Sequence, residues 1–511
     1  MSDIQFSEHS RDESRFTGEC TGVIMAKSAK DIAAALSLGE PFAVQGARTG
    51  ITGACVPDSC KALDLSGFAG ASGMREENGE FAVAVRPGTL LSDLRTMLAK
   101  RSFDTQGWDE ASLAALESFK NAGEFMFAPD PTEDTASIGG MFATNAGGPA
   151  SLLYGRTGDN TAALDIRLAN GELWHVERGE YAFDEGGCCK LPNGKTLRVS
   201  FPESAPLLNP LQPRAGTDLI DLFSGSEGML GVAEQIWLKL IPKPAVRWSV
   251  VFFPNSIECA TEFIDGLLSA KEGWECSLTA LEYLDGNSLS LFSEFRENQT
   301  RLASIPEFHE GAKCAIIAEL CASCEDVAEA ALGEMLELFA EAGGDEDATW
   351  AADTEDEIEK FRQLRHAVPE AVNSTIDKYR VDCPTLTKLA ADICRKGVPL
   401  CELIPGLTEK LESTGIDYAL FAHAGEGHFH VNLIPKDAGE YARGADFLFG
   451  LTADTAKRGG MIISENGVGK LKRGLVAGLL PKEQLELMRE IKRFFDPSCL
   501  LNPNNMFELP L

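Results

Sequence analysis

Three of the chain's seven histidines fall in the segment Ala419-Leu420-Phe421-Ala422-His423-Ala424-Gly425-Glu426-Gly427-His428-Phe429-His430-Val431-Asn432. Period-two alternation sends His428, His430 and Asn432 to one face of a strand, and Phe429, Val431 and Leu433 to the other. A turn over 424–427 sets His423 opposite His428 on that same face, so three imidazoles converge. Packing explains such a cluster poorly, because histidine has no strong preference for the interior. Imidazoles that titrate near neutrality are suited to proton transfer.

Two glycine-rich stretches lie in the first third of the chain. They are Gln45-Gly46-Ala47-Arg48-Thr49-Gly50-Ile51-Thr52-Gly53 and Ile138-Gly139-Gly140-Met141-Phe142-Ala143-Thr144-Asn145-Ala146-Gly147-Gly148. Glycines this dense let the backbone take positive φ and approach a ligand closely, so that several N–H groups can point at one anion. A nucleotide pyrophosphate answers that description. Neither stretch is G-x-x-x-x-G-K-[ST], and neither has G-x-G-x-x-G with an acid about 20 residues on, so the P-loop and Rossmann readings both fail.

The elements that must position these groups alternate in type. Val23-Ile24-Met25, a helix over Ala29–Leu38 and Pro41–Val44 open an α/β nucleotide domain. Val83–Val85, a helix over Leu90–Leu98 and a hairpin of Leu164–Leu168 and Leu173–Val176 turning at Asn170-Gly171 extend it. Residues 104–127 and 179–216 are less periodic and read as surface insertions. The domain closes through Gly225–Val232 and the strand Gln235–Ile241.

Pro242-Lys243-Pro244 marks a boundary. Beyond it, strands over Arg247–Phe253, Ser277–Tyr283 and Lys313–Leu320 and helices over Ile257–Ala270 and Asp326–Ala342 predict an antiparallel sheet with helices on one face. A final segment carries the helix Lys482–Phe495. The expected domains are therefore 1–242, 243–455 and 456–511, in an α+β chain.

At 511 residues with 44% hydrophobic and 24% charged, the chain is globular and too long for one core. A formal charge of −32 argues against nucleic acid, since no basic patch is available to displace phosphate counterions. No apolar run reaches the roughly 18 residues of a membrane span. The opening Met1-Ser2-Asp3-Ile4-Gln5-Phe6 does not read as a signal peptide. These features predict a cytoplasmic protein. Its fourteen cysteines read as reduced thiols, and Cys188-Cys189 and Cys321-x-x-Cys324 lack the partners of a zinc or iron–sulfur site.

With these pieces in order, the chain resembles the flavin-dependent dehydrogenases of the D-lactate, D-2-hydroxyglutarate and glycolate type, within the vanillyl-alcohol-oxidase-like FAD superfamily. The resemblance rests on Gly46–Gly53, Pro129-Asp130-Pro131 through Tyr154-Gly155, Gly225–Val232, His423–His430, Ser464–Gly469 and Asp496–Asn502. It implies a two-lobed FAD-binding domain, an α+β cap with an antiparallel sheet, and a C-terminal helical segment returning to the FAD domain.

FAD is then held by Gly46, Ala47, Arg48, Thr49, Gly50, Thr52 and Gly53 in the first loop. Pro129, Ser137, Gly139, Gly140, Thr144, Asn145, Gly147, Gly148 and Tyr154 serve in the second. Glu227, Gly228, Gly231 and Val232 line the adenosine end, and Asn502 comes from the terminus. Ala47 and Arg48 stand where relatives more often carry glycine. Arg48 either adds charge at the pyrophosphate or faces solvent. Only His9 and His175 precede residue 300 and neither lies in a flavin loop, so non-covalent FAD is expected.

The resemblance also places a divalent metal (zinc, manganese or iron) on His423, His430 and Glu465, where it could chelate the carboxylate and hydroxyl of a 2-hydroxy acid. Relatives read Ser-Gly-Glu-His-Gly beside that carboxylate, the histidine serving as base. Here the run is Ile463-Ser464-Glu465-Asn466-Gly467, and an amide cannot take the proton. The relatives' Gly-Asp-Gly-Asn has become Gly425-Glu426-Gly427-His428, so His428 is the expected replacement base. Arg365 and Lys378 match carboxylate-binding positions, with Arg380 as a neighbouring alternative.

The expected activity is oxidation of a D-2-hydroxy acid. Electrons pass to a separate acceptor such as an electron-transfer flavoprotein, an iron–sulfur subunit or quinone, and a homodimer is the expected assembly. Two other readings stay open: a non-catalytic FAD relay subunit, and a non-redox synthase of the alkylglycerone-phosphate type.

Overall fold

The computed structural model describes residues 6–203, 211–463 and 465–508. Met1–Gln5, part of the 179–216 stretch and Ser464 of the Ser464–Gly469 motif lie outside the described residues. The chain divides into two compact units. One comprises Met1–Gly148, Tyr154–Lys243 and Glu465–Leu511, and the other Pro149–Leu153 and Pro244–Ser464.

In the first unit, β1 (Glu19–Met25), β2 (Phe42–Gln45) and β3 (Asp58–Asp64) form a parallel sheet in the order β1-β3-β2. Parallel strands need a crossover. The helix Ala29–Leu36 supplies the one from β1 to β2, which lie on either side of β3; it is capped by Ser28 and buries Ile32, Ala35 and Leu36. A second, antiparallel sheet comprises β4 (Ala71–Glu77), β5 (Glu80–Val85), β6 (Phe125–Met126), β7 (Thr161–Arg167), β8 (Leu173–Glu177) and β11 (Val232–Pro242). Its order is β4-β5-β11-β7-β8, with β6 on β11, while β9 (Cys188–Lys190) and β10 (Thr196–Arg198) pair separately. β11 alternates strictly, burying Val232, Glu234, Ile236, Leu238 and Leu240. Glu234 is tolerated inside because Arg167 on β7 pairs with it.

Residues 104–127 are not an irregular insertion. Glu110–Asn121 is a helix capped by Asp109, and it buries Ser112, Ala115, Leu116 and Phe119. The i, i+3, i+4, i+7 spacing is present, but small Ser112 and Ala115 mute its hydrophobic signal.

In the second unit, β12 (Val246–Phe252), β13 (Ser277–Asp285), β14 (Cys314–Ala322), β15 (Thr349–Ala352), β16 (Leu389–Cys394), β17 (Asp417–His423) and β18 (His428–Ile434) form one sheet in the order β15-β12-β14-β13-β17-β18-β16. Every pair is antiparallel. Helices cover both faces of this sheet rather than one. Val250, Phe252, Tyr283, Leu420 and Phe429 join Phe263, Ile264 and Phe339 from the helices Ile257–Ala270 and Glu325–Glu341. Val251, Leu284, Ile317 and Phe421 on the opposite face meet Leu289, Phe361, Leu364 and Val368 from Gly286–Arg296 and Glu355–Arg380. The long helix is hard to read from sequence because Pro369 falls inside it.

The C-terminal stretch is fixed within the first unit by a buried charge. Lys492 Nζ donates to Asp496 Oδ2 at 2.6 Å, to the Met229 carbonyl at 2.7 Å and to the Leu501 carbonyl at 2.8 Å. Burial works against the Lys492 charge and lowers its pKa, while Asp496 opposes that shift. Removing one partner of such a pair typically costs about 3–5 kcal/mol, because the other charge stays buried. Lys492→Met is therefore expected to lower the denaturant midpoint. Lys492→Met combined with Asp496→Leu should recover part of the loss, as monitored by unfolding in denaturant.

Candidate functional site

The first unit holds a cleft. Main chain at Gly46, Gly139, Gly140, Gly228 and Gly231 lines it, with apolar walls from Val44, Phe142, Phe223 and Val232. Two loops are stitched together at its floor. Ser137 Oγ accepts from Ala47 N at 3.2 Å and from Gly140 N at 3.3 Å, capping the helix Ile138–Thr144.

The glycines are required by space. A Cβ on Gly46 would lie 2.1 Å from Ser137 Oγ, one on Gly139 2.6 Å from Pro87 Cβ, and one on Gly148 2.1 Å from the Asp130 carbonyl. Asn502 returns to the same cleft. Its Oδ1 accepts from Val44 N at 2.7 Å and its amide donates to the Glu227 carbonyl. A glycine-walled cleft with an apolar side fits a dinucleotide whose pyrophosphate needs backbone donors and whose rings need apolar contact.

Other expected residues shape these loops. Asp12 Oδ2 accepts from Gly53 N at 2.9 Å, and the Thr52 carbonyl accepts from Lys470 N and Leu471 N at 3.1 Å. Thr144 Oγ1 donates to the Gly140 carbonyl, Asn145 Oδ1 accepts from Gly158 N, and the Tyr154 carbonyl accepts from Asn160. Pro129 and Gly147 are buried. Thr49 and Gly50 lie in the first loop, between Arg48 and Thr52.

The Arg48 guanidinium pairs with buried Asp64 at 2.9 Å, at the end of β3. Glu227 also has a structural task. Its carboxylate accepts from Val468 N at 2.5 Å and Gly469 N at 2.9 Å, positioning the loop that carries Glu465 and Asn466. Burial pushes the Glu227 carboxyl above its ordinary pKa, and those N–H groups pull it only part of the way back. Asn466 takes a left-handed φ of 63°, and its carbonyl accepts from Thr52 Oγ1 at 3.2 Å. Glu465 lies 3.4 Å from Arg156. His175 sits on the β7–β8 hairpin against Asp165 and Glu177 and is not among the residues that line the cleft.

The histidine face belongs to the second unit. His423 pairs directly with His428 across β17 and β18, joined by a short turn that ends on Gly427 at φ 62°. Ring centroids lie 5.1 Å apart for His423 and His430, 5.5 Å for His423 and His428, and 4.5 Å for His428 and His430. The three rings offer nitrogens within 4.8 Å of one another. His428 is fully buried.

Two buried carboxylates that sequence reasoning missed orient these rings. Glu282 Oε1 on β13 lies 2.6 Å from His423 Nδ1, and Asp392 Oδ1 on β16 lies 2.9 Å from His430 Nδ1. An ionised carboxylate only accepts, so each Nδ1 carries the proton and each ring turns Nε2 to its opposite edge. This is the arrangement by which histidine ligands are held for a metal. Burial would raise the Glu282 carboxyl, but the positive charge of a protonated His423, that of Arg365 and the hydrogen bonds from both outweigh it and hold the pKa below its ordinary value. The available signal was a lone acid in an otherwise apolar strand, as in Ala280-Leu281-Glu282-Tyr283 and Ala390-Ala391-Asp392-Ile393.

Arg365 is buried. Its Nε donates to Glu282 Oε2 at 2.5 Å, and its guanidinium carbon sits 4.9 Å from the Phe421 ring centroid. Lys378 does not join it. Thirteen residues further along the same helix, at 1.5 Å per residue, put it roughly 20 Å away, and it is exposed there. Arg380 pairs with Asp377. Gly46→Ala is expected to push Ser137 aside and weaken flavin retention by at least about tenfold, a loss of about 1.4 kcal/mol. The flavin-to-protein absorbance ratio measures it, with thermal unfolding as the control for folding.

Residues 243–506 match the FAD linked oxidases, C-terminal domain, and residues 111–177 match an FAD binding domain. The chain is 26% identical over 497 residues to a D-lactate dehydrogenase of Anaerostipes hadrus, covering 95% of this chain and 89% of that protein. It is 26% identical over 399 residues to the glycolate oxidase subunit GlcD of Bacillus subtilis, covering 78% and 73%. It is 25% identical over 404 residues to a D-2-hydroxyglutarate dehydrogenase of Xanthomonas citri pv. viticola, covering 77% and 74%. An alkyldihydroxyacetonephosphate synthase structure shares the fold with a TM-score of 0.59 at 14% identity, over 94% of this chain and 76% of that one. These matches agree with the vanillyl-alcohol-oxidase-type FAD fold and antiparallel second sheet expected from sequence. Because the first match spans more than half of the 511 residues, the chain belongs to the FAD-linked oxidases.

Proposed function

We propose that this protein oxidises a D-2-hydroxy acid of the D-lactate kind to the 2-oxo acid and passes the electrons to a separate acceptor. The observation that carries this reading is the pair of imidazoles whose Nδ1 atoms are held by buried Glu282 and Asp392. Such ordering of two histidines is unexplained in a protein that only relays electrons, and the relay alternative is weaker for it. A synthase shares the fold alone.

His423 and His430, with Glu465 as third ligand, would hold the divalent metal (zinc, manganese or iron), whose charge when bound eases proton loss from the substrate hydroxyl. FAD, held non-covalently, supplies the acceptor for the hydride that leaves Cα. Arg365, anchored to Glu282 through Nε, offers its Nη fork to the substrate carboxylate. His428 takes the hydroxyl proton, because Asn466 cannot. The acceptor is an electron-transfer flavoprotein, an iron–sulfur subunit or quinone. No helix among the described residues is long and apolar enough to cross a membrane.

Anaerobic addition of D-lactate, glycolate or D-2-hydroxyglutarate is expected to bleach the flavin, and prior treatment with chelator should abolish the bleaching. Persistent yellow colour with every hydroxy acid tested, after metal reconstitution, would remove the dehydrogenase reading. Losing proton transfer alone typically costs 10²–10⁴-fold. His428→Ala should slow bleaching by about that factor and His428→Ala combined with Asn466→His should restore part of it; near-normal rates for the single variant would refute the role of His428.

A further inference from the structure

Glu282 serves two partners at once. One oxygen meets His423 Nδ1 at 2.6 Å and the other meets Arg365 Nε at 2.5 Å. All three side chains are almost fully buried, at 3% exposure for Glu282, 7% for His423 and 5% for Arg365. Their backbones are held independently. Glu282 and His423 are directly paired across β13 and β17, and Arg365 comes from the helix that packs over that face of the sheet. Phe421, two residues before His423 on the same face, supports the guanidinium from its flat side.

A carboxylate fixed at both oxygens in a dry site has no second place to go, so a change at one oxygen is felt at the other. Asp392 forms the comparison within the same sheet. It orients His430 at 2.9 Å, and its paired residue on β18 is that same histidine.

We propose that Glu282 is a positioning residue that couples metal retention to binding of the substrate carboxylate. The inference rests on the reading that His423 is a metal ligand and Arg365 a carboxylate-binding group. It extends that reading, because neither role by itself requires the two to be linked. The shared carboxylate carries the coupling: loss of Arg365 leaves Glu282 without its second anchor and weakens the metal although Arg365 is no ligand, and loss of the Glu282 charge weakens both metal and carboxylate. Through Asp392 the effect reaches the metal only.

The test uses Co²⁺ and pyruvate as probes on the flavin-loaded, full-length protein. Co²⁺ affinity is read from its ligand-field absorption, and pyruvate affinity from perturbation of the oxidised flavin spectrum at saturating Co²⁺. Loss of a group that orients a metal ligand typically costs about 10–100-fold in metal affinity. Glu282→Gln and Asp392→Asn should both weaken Co²⁺ by that factor, but only Glu282→Gln should also weaken pyruvate, by at least about fivefold. Arg365→Lys provides a route that spares both carboxylates, and it should weaken Co²⁺ by at least about fivefold and shift its absorption band.

Unchanged Co²⁺ affinity and spectrum in Arg365→Lys overturn the coupling while leaving the metal reading intact. Equal effects of Glu282→Gln and Asp392→Asn on pyruvate overturn it as well. Failure of the unaltered protein to bind Co²⁺ removes the metal reading and this inference with it. Flavin content and thermal unfolding of each variant separate these outcomes from misfolding, and Arg365→Lys decides the matter if Glu282→Gln does not fold.

Discussion

A carboxylate buried in a sheet must be compensated, and the second unit is organised around that constraint at Glu282. An unpaired charge in such a place would neutralise itself or destabilise the fold. Here an imidazole on the neighbouring strand and a guanidinium on the overlying helix share the compensation. The consequence is rigidity in groups whose chemistry depends on direction. His423 presents a defined tautomer, Arg365 a defined edge, and Asp392 does the same for His430. The opposite face of the sheet is wholly apolar around Phe252, Tyr283 and Phe429, so the cost of the polar face is borne by a well-packed core behind it.

The first unit meets a different requirement by a different route. Its loops must pack closely against one another around the cleft, and side chains would stand in the way. Gly46, Gly139 and Gly148 sit where a Cβ would strike Ser137, Pro87 or the Asp130 carbonyl. The loops are then held by their own polar atoms: Ser137 Oγ bridges two of them, and Glu227 and Asn502 clamp the returning C-terminal stretch. Charged side chains near this cleft, including Arg48 and Lys470, are committed to protein partners.

What the sequence discloses follows from the range of the interactions involved. The convergence of His423, His428 and His430 is legible because it depends only on alternation and on a short turn, both local. The helices Ile257–Ala270 and Lys482–Phe495 are legible because their apolar faces are strong. Glu282 is hidden because it meets His423 across 141 positions of chain, and no local pattern reports strand order. The pairing of Arg48 with Asp64 is hidden for the same reason, since a left-handed turn at Arg48 redirects the side chain. Lys378 looked like a partner of Arg365 because resemblance aligns positions but does not measure the rise of a helix between them.

Whether the carboxylate-held imidazoles bind a metal ion is decided by X-ray absorption at the zinc edge of the reconstituted protein. A shell of nitrogen and oxygen near 2.0–2.1 Å with the outer-shell scattering of at least two imidazoles is expected. A spectrum of hydrated or sulfur-bound zinc without imidazole scattering would contradict it.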